Sequence, residues 1–325
     1  MIFRIVFLCL ILLIIELYAF QVLKTLIKSK RALYLIQLIS VLFLTYIVYS
    51  SLQFDRNSGQ TRQLMVVVGL LLIVYIPKLI LTLVLVGEDI FRLGAGAVNY
   101  FVDSDKNSDF LNSRRKFVSQ IGLGIAAVPF LSLIYGVTIG KYNFKVIKQR
   151  IFFPDLPEAF DGFTITQISD VHSGSFDNPE KINYAIDLVN EQNSDLIVFT
   201  GDIVNTDAKE MHPWIATFNR IKKHKYGKYS VLGNHDYGEY VTWPSEEAKE
   251  NNFKAIKSLY GEIGFNLLLN EHTFIEKEGA KIALVGVENW GHNFKKAGDL
   301  NKAGGTLKKE DFKILMSHDP SHWEH

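Results

Sequence analysis

The sequence predicts an α-helical membrane region of four spans followed by an α/β domain, and three observations support this fold class. Apolar residues make up 48% of the 325 residues, a composition that argues against an ordinary soluble enzyme. Residues 1–140 carry 13 Lys and Arg against 7 Asp and Glu, whereas the rest of the chain carries 22 against 27. All nine histidines follow residue 140. We therefore expect a membrane region at residues 1–140, a linker at 141–156 and a polar α/β domain at 157–325.

Four apolar stretches are each long enough to cross a bilayer as a helix, for which about 20 residues suffice. A cleaved signal peptide is the competing interpretation of the first stretch, but that stretch lacks a basic N-terminal region and an obvious small-residue cleavage site. Glycine and proline in the fourth stretch are tolerated in membrane helices. The four predicted spans lie at residues 2–23, 32–52, 64–86 and 117–137.

Basic residues in the loops predict the orientation, since Lys and Arg accumulate on the cytoplasmic side of short connections. Four of them lie within residues 24–31, and Arg114, Arg115 and Lys116 precede the fourth span. An even number of spans that starts outside also ends outside. We therefore expect a multi-pass protein of the cell (inner) membrane whose second domain is extracytoplasmic.

The stretch SRRKFV at residues 113–118 resembles a twin-arginine export signal that is placed internally. A plain basic flank that anchors the following span is the alternative. Both interpretations place the second domain on the same side of the membrane.

Two ionisable side chains lie inside predicted spans, where each needs a partner or a path to water. Glu16 in the first span and Lys78 in the third are expected at similar depth. We therefore predict that they pair between the two helices. The alternative is that each side chain extends separately towards the cytoplasmic headgroups.

The polar domain alternates between β-branched runs at residues 163–169, 195–200 and 228–232 and helical patterns at 179–192 and 209–222. This alternation predicts a parallel sheet with right-handed crossovers. In such sheets, functional residues gather beyond the C-terminal ends of the strands. A later apolar run predicts one more strand at residues 312–316.

Polar clusters follow these four runs at the points where strands are expected to end. Asp170 and Asp202 are 32 residues apart, and so are Asp202 and Asn234, so one βα unit separates each cluster from the next. The glycines before Asp202 and Asn234 would let the backbone turn sharply. Any one of these clusters, taken alone, is more often found stabilising a turn than binding a metal. Together they should meet at one sheet edge and offer oxygen and nitrogen ligands to Mn, Fe or Zn. The clusters comprise Asp170 and His172; Asp202; Asn234, His235 and Asp236; and His318.

The ordered set D-x-H, G-D, G-N-H-D and S-H-D resembles the calcineurin-like metallophosphoesterase family. The likeness runs from residue 154 to residue 325, and the preceding spans resemble the membrane-anchored bacterial branch of that family. The resemblance implies a metallophosphoesterase-type domain with layered β-sheets flanked by helices. It also implies two divalent metal ions as cofactors.

The same resemblance implies a role for each matching residue. Two cations at a close spacing would clamp an in-line displacement at phosphorus and supply a metal-bound hydroxide as nucleophile. His235 would donate a proton to the leaving group, and Asp236 is a candidate to orient His235. The metal ligands would be Asp170 and His172 for the first ion, Asn234 and His318 for the second, and Asp202 for both.

The sequence departs from the family pattern at its C-terminal end. The pattern closes with a G-H-x-H element that supplies one ligand to each metal, and no such element occurs in these 325 residues. His322 and His325 lie too close to His318 to be trusted as substitutes. We therefore expect a C-terminally truncated domain that by itself binds metal weakly and is weakly active or inactive.

The expected function is hydrolysis of phosphomonoesters or phosphodiesters by a membrane-anchored enzyme. Its expected partners are the lipid bilayer and a phosphoester substrate, either lipid-linked or soluble, whereas nucleic acid is not expected because the polar domain is acidic. The alternative is a non-catalytic, membrane-anchored binding or scaffold protein that retains the fold, and the missing G-H-x-H element favours it. Four aromatic residues in loops could line a substrate groove or simply pack: Tyr237, Tyr240, Trp243 and Trp290.

Overall fold

The computed structural model describes residues 2–55, 59, 61–102 and 108–324. The chain divides into two compact units. The first comprises Met1–Phe54 and Thr61–Asn143, and the second comprises Asp55–Gln60 and Phe144–His325.

The first unit consists of long helices, and each contains a stretch that is apolar and long enough to cross a membrane. Large apolar side chains on these helices are exposed, with Leu42 at 60%, Leu83 at 62% and Leu131 at 62%. Such a surface suits contact with lipid rather than with water. The prediction of four spans is therefore confirmed. The helices are α1 (Ile2–Leu26), α2 (Lys30–Leu52), α3 (Arg62–Val102) and α4 (Ser108–Thr138).

Helix α3 is much longer than the span predicted at residues 64–86. It has 41 residues, which at 1.5 Å per residue gives a length of about 60 Å, roughly twice the thickness of a bilayer's hydrocarbon core. The helix continues through Glu88 and Asp89 because both carboxylates have partners in α4. Arg114 Nε donates to Glu88 Oε2 at 3.0 Å, and Arg115 pairs with Asp89. The two arginines of the SRRKFV stretch thus hold α4 against α3.

The predicted pair between Glu16 and Lys78 is confirmed. Lys78 Nζ donates to Glu16 Oε1 at 2.5 Å and also to Ser40 Oγ at 2.9 Å. Both charged side chains are largely buried, with exposures of 14% for Glu16 and 19% for Lys78. One ammonium group therefore links α1, α2 and α3 within the apolar stretches.

In the described part of the second unit, seven strands form two sheets. The first sheet is parallel throughout, as predicted. In the second sheet, the first two strands are antiparallel and the last two are parallel. In spatial order, the first sheet contains β1 (Ile165–Ile168), β2 (Leu196–Phe199), β3 (Lys228–Ser230) and β4 (Asn266–Leu267), and the second contains β5 (Glu271–Lys277), β6 (Ala280–Gly286) and β7 (Lys313–Met316).

The core of this unit lies between the two sheets, where Val198 of β2, Ile275 of β5 and Leu284 of β6 belong to one buried cluster. The opposite face of β2 is also covered, since the ring of Phe199 contacts the ring of Tyr260 at a centroid distance of 5.3 Å. The expected layers of β-sheet flanked by helices are therefore confirmed. The helices are α5 (Pro179–Glu191), α6 (Ile215–Phe218), α7 (Glu246–Glu262) and α8 (Leu300–Gly304).

The single helix predicted at residues 209–222 is wrong. The segment instead contains 3₁₀ turns at Ala208–Glu210 and His212–Trp214 and one turn of α-helix, α6 (Ile215–Phe218). Pro213 has no amide hydrogen to donate, so an α-helix cannot run through it without losing a hydrogen bond. A capping box between Asp207 and Glu210 also closes the first turn on itself.

Candidate metal centre

The predicted ligands follow strand ends that lie side by side. The parallel register pairs Ile168 with Phe199 and Phe199 with Ser230, so β1, β2 and β3 end at one edge of the sheet. The second sheet brings β7 to the same region, since His318 follows its last residue by two positions. The structure therefore brings all five predicted ligands together, and they are Asp170, His172, Asp202, Asn234 and His318.

Asp202 lies at the centre of the site and is almost fully buried, with an exposure of 2%. Its Oδ2 atom lies 3.5 Å from His172 Nε2 and 3.3 Å from His318 Nε2. Its Oδ1 atom accepts a hydrogen bond from the backbone amide of His235 at 2.8 Å. One carboxylate therefore faces two groups of potential ligands at the same time.

These two groups share Asp202. The first consists of His172, Asp202 and His235, and the second of Asp170, Asp202 and His318. In each group, one ligand atom from every residue lies within 4.8 Å of the others. The predicted proton donor His235 thus stands close enough to be counted with the first group.

Three of the predicted ligands have a strained backbone. Asp170, His172 and Asp202 have φ angles of 52°, 47° and 62°, in the left-handed region that residues other than glycine rarely adopt. Such conformations persist only where the surrounding structure imposes them, and they concentrate at functional sites. Here the amides of Asp170 and His172 are tied to the carbonyls of Gly201 and Asp202 at 3.0 Å.

The glycines that precede Asp202 and Asn234 serve different purposes. Gly201 has a φ of 97°, so it provides the expected sharp turn. Gly233 instead provides space, because a Cβ atom on it would overlap the carboxylate of Asp202. A Cβ atom on Gly201 would in turn overlap the backbone of Gly233. The two loops can therefore approach this closely only because neither glycine carries a side chain.

Backbone carbonyls fix the orientation of two imidazoles. His318 Nδ1 lies 2.7 Å from the carbonyl oxygen of Thr200, and His235 Nδ1 lies 2.7 Å from that of Asn205. A carbonyl oxygen only accepts, so Nδ1 carries the proton in both rings. The Nε2 atom of His318 is then directed to Asp202 and to Asn234 Oδ1, which lies 3.1 Å away. This arrangement is typical of histidines that bind metal, where the second nitrogen is held by an outer partner.

Asp202 and His318 form an ion pair at the centre of the site. Burial alone would raise the pKa of Asp202, but the hydrogen bond and charge of His318 lower it below its usual value. Burial alone would lower the pKa of His318, but the hydrogen bond and charge of Asp202 raise it to about 9. A divalent cation that binds here therefore competes with a proton at neutral pH.

Tyr240 contacts both the predicted ligand Asn234 and the predicted proton donor His235. The Asn234 side-chain amide donates to the Tyr240 hydroxyl at 2.5 Å, which leaves Asn234 Oδ1 facing His318. The Tyr240 ring also stacks on the His235 ring at a centroid distance of 4.3 Å and an interplanar angle of 24°. Of the four loop aromatics named from the sequence, Tyr240 thus lies beside the site.

Asp236 occupies a different position from the one expected for a residue that orients His235. It is fully buried and accepts from the amides of Asp202, Ile203 and Gly233 and from the hydroxyl of Tyr260, at 2.8 to 3.0 Å. Burial and, to a smaller extent, the nearby charge of Asp202 raise the pKa of Asp236 to about 6. Asp236 therefore ties the metal-site loops together, and the group that orients His235 is the carbonyl of Asn205.

Sequence reasoning missed the contributions of Thr200 and Asn205 because both act through the main chain, which carries no residue-type signal. The loop that contains Asn205 is itself held by a partly buried carboxylate, since the Asn205 amide donates to Glu210 Oε2 at 2.6 Å. Burial raises the pKa of Glu210 above its usual value. The spacing of Asp207 and Glu210 as a capping box was the available signal for this loop.

The donor set fits divalent metal ions. It combines two carboxylates, imidazoles and one amide oxygen, which are hard to borderline ligands of the kind that Mn, Fe and Zn accept. Cys9, the one cysteine of the sequence, lies in α1, so thiolate does not enter this set. His322 is used differently, because its buried ring stacks on the ring of Trp290 at 5.3 Å.

Comparisons with known proteins agree with this description. Residues 2–141 match a family model described as a probable calcineurin-like phosphoesterase transmembrane domain, and residues 163–325 match the calcineurin-like phosphoesterase family model. The chain is 33% identical over 216 residues to the uncharacterized metallophosphoesterase YkuE of Bacillus subtilis, covering 64% of this chain and 70% of the relative. YkoQ of the same organism, also an uncharacterized metallophosphoesterase, is 28% identical over 204 residues, with coverages of 61% and 68%.

A vertebrate relative shows the same combination of parts in its name. The transmembrane protein with metallophosphoesterase domain of Danio rerio is 26% identical over 200 residues, which cover 58% of this chain and 42% of the relative. The chain therefore belongs to the calcineurin-like phosphoesterase family, with an N-terminal four-helix transmembrane domain. It is a membrane protein with a possible metal-binding cluster.

Proposed function

We propose that the protein is a membrane-anchored phosphoesterase that uses two divalent metal ions and whose catalytic domain faces the extracytoplasmic side of the cell membrane. The observation that carries the proposal is the position of Asp202 Oδ2, within 3.5 Å of His172 Nε2 and 3.3 Å of His318 Nε2. A carboxylate placed between two ligand groups would reduce the repulsion between two bound cations. The family membership supports hydrolysis of phosphoesters as the reaction.

In this proposal each residue of the site has a specific task. Asp170 and His172, whose Oδ1 and Nε2 atoms lie 3.8 Å apart, would hold one ion, Asn234 and His318 the other, and Asp202 both. Bound divalent ions polarise phosphoryl oxygens and lower the pKa of water. The protein's own contribution is to hold the ligands in place before the ions arrive, through the strained backbone at Asp170, His172 and Asp202.

His235 would donate the proton that the departing alkoxide needs. Its Nδ1 proton is committed to the carbonyl of Asn205, so the transferred proton must come from Nε2. The ring therefore has to carry both protons at the start of that step and becomes a neutral imidazole afterwards. Tyr240, stacked against this ring, limits its rotation.

The four-helix anchor favours a substrate that is itself held at the membrane, such as a phospholipid or a lipid-linked phosphoester. A soluble extracytoplasmic nucleotide or a phosphorylated peptide is the competing class. A panel that contains one monoester and one diester of each class separates the two. Maleimide labelling of a cysteine placed at Tyr184, in a Cys9→Ser background in intact cells, tests the extracytoplasmic orientation.

The function is tested with the full chain purified in detergent and supplied with Mn²⁺. We expect hydrolysis of an aryl phosphate or a bis-aryl phosphate, and we expect Asp202→Asn to reduce the rate by at least about a hundredfold because the shared carboxylate is lost. Asp187→Asn is the matched control, since Asp187 is a half-exposed carboxylate of α5 that pairs with Arg220. If neither ester is cleaved with Mn²⁺, Fe²⁺ or Zn²⁺, the protein is a binding or scaffold module.

A further inference from the structure

The chain between the last transmembrane helix and the first strand contains a short segment with an unusual surface. Residues 145–152, named here the juxtamembrane segment, have the sequence KVIKQRIF. Lys145, Lys148 and Arg150 supply three positive charges, and no Asp or Glu occurs between residues 110 and 154. The segment is thus locally cationic, although the polar half of the protein is acidic overall.

The apolar residues of the same segment are exposed to an extent that is uncommon for large side chains. Ile147 is 88% exposed, Phe152 81%, Ile151 63% and Val146 43%. Single exposed apolar side chains are normal on proteins, but four within eight residues form a patch that calls for a partner. Phe153, the next residue, is 50% exposed and contacts the ring of Phe312 at a centroid distance of 5.4 Å.

We propose that the juxtamembrane segment binds the surface of an anionic lipid bilayer. Exposed cations interleaved with exposed isoleucine and phenylalanine are the combination that binds lipid headgroups, since the charges attract anionic phosphates while the apolar side chains enter the acyl boundary. A purely apolar patch would fit a protein partner equally well. The three cations favour the lipid surface over the other occupants.

The covalent structure keeps the segment within reach of the membrane. Helix α4 ends at Thr138, seven residues before Lys145, so a fully extended chain spans at most about 25 Å between them. Residues 144–153 form neither helix nor strand. Because an unpaired backbone cannot enter the hydrocarbon core, only the side chains of Ile147, Ile151 and Phe152 would insert, and the main chain would stay among the headgroups.

The proposal is tested by the depth of single labels in the full chain, reconstituted into vesicles. In a Cys9→Ser background, which removes the one native cysteine, a bimane label is placed at Ile147→Cys or Phe152→Cys. Brominated lipids should quench both labels in phosphatidylcholine vesicles that contain about 30% phosphatidylglycerol. A label at Tyr184→Cys, which is 51% exposed on α5, is the control and should not be quenched.

Charge reversal gives the second arm of the test. The triple variant Lys145→Glu, Lys148→Glu, Arg150→Glu should reduce quenching at position 147 by about fivefold or more, because each cation near an anionic surface contributes substantially to binding. The control is the same change at three exposed lysines of the second unit, namely Lys222, Lys223 and Lys225. The control variant should leave quenching unchanged.

Other occupants would give other results, and each of them would overturn the proposal. Equal quenching in vesicles of phosphatidylcholine alone would show that anionic lipid is not the partner. Labels that are shielded from brominated lipid but transfer energy between copies, in proportion to protein density, would identify a second copy of the chain. Labels that are neither quenched nor shielded would show that the segment stays in water.

Discussion

Asn234 has two chemically different ends, and only its oxygen can hold a cation. Its nitrogen is committed to the hydroxyl of Tyr240 at 2.5 Å, so its oxygen faces His318 Nε2 at 3.1 Å. Without the phenol, the amide can rotate and turn its NH₂ group towards the ion. Tyr240 therefore positions Asn234 as a candidate metal ligand.

Tyr240→Phe keeps the ring but removes the hydroxyl, so it isolates this contribution. We expect the affinity for Mn²⁺, measured by calorimetry on the purified full chain, to fall by about tenfold, which is typical for the loss of an outer partner of a metal ligand. Tyr184→Phe, on the surface of α5, is the control. Unchanged affinity in Tyr240→Phe would show that Asn234 needs no such support.

Asp236 illustrates the other use of a buried carboxylate, which is to bind main-chain amides. Three amides and one phenol donate to it. Asp236→Asn presents an NH₂ group to these donors, so at least one of them loses its acceptor. We expect the free energy of unfolding of the second unit to fall by about 1–3 kcal/mol.

The measurement for Asp236→Asn is thermal unfolding followed by tryptophan fluorescence, with all tryptophans lying in the second unit. Tyr260→Phe is the companion variant, since it removes one of the four donors and leaves the carboxylate intact. It should destabilise the chain less than Asp236→Asn does. A larger loss in Tyr260→Phe would contradict the role assigned to the carboxylate.

Among the elements, α3 shows where sequence patterns stop being informative. Hydropathy ended the predicted span at residue 86, just before Glu88 and Asp89, yet the helix runs to Val102. The continuation depends on Arg114 and Arg115 of another helix, and no local pattern reports a partner 26 residues away. The helix predicted at residues 209–222 was wrong for a local reason. Pro213 and the capping box were visible in the sequence, but the prediction gave more weight to the helical periodicity of the segment.

The Glu16–Lys78 pair gives a prediction about how α1 and α3 pack. Glu16→Lys and Lys78→Glu each place two like charges together inside the membrane, and each should reduce the amount of monodisperse protein after heating in detergent. The double variant restores opposite charges and should recover most of this loss. Fluorescence-detected size-exclusion chromatography measures all three variants. Recovery no better than that of the weaker single variant would mean that the contact contributes nothing.

For the whole molecule, the division into a membrane half and a polar half follows from composition alone. The convergence of the candidate ligands was also predictable, since parallel strands must bring their C-terminal ends to one edge and the polar clusters stand at those ends. The prediction of two layered sheets depended on the family resemblance and not on periodicity. No predicted site residue follows a strand of the second sheet before His318, so the polar clusters gave no signal for the earlier strands of that sheet. The roles of Thr200 and Asn205 could not be predicted from the sequence, because both act through main-chain carbonyls, which are the same in every residue.

The contact between Gly201 and Gly233 limits which substitutions the site can tolerate. The loops bearing Asp202 and Asn234 lie so close that a Cβ atom on Gly201 would overlap the backbone of Gly233, and a Cβ atom on Gly233 would overlap the carboxylate of Asp202. The spacing of those loops therefore depends on the absence of a Cβ atom at both positions. We therefore expect both glycines to be conserved among related proteins, even where the neighbouring loop residues vary. A related protein that lacks either glycine should have a different distance between these two loops.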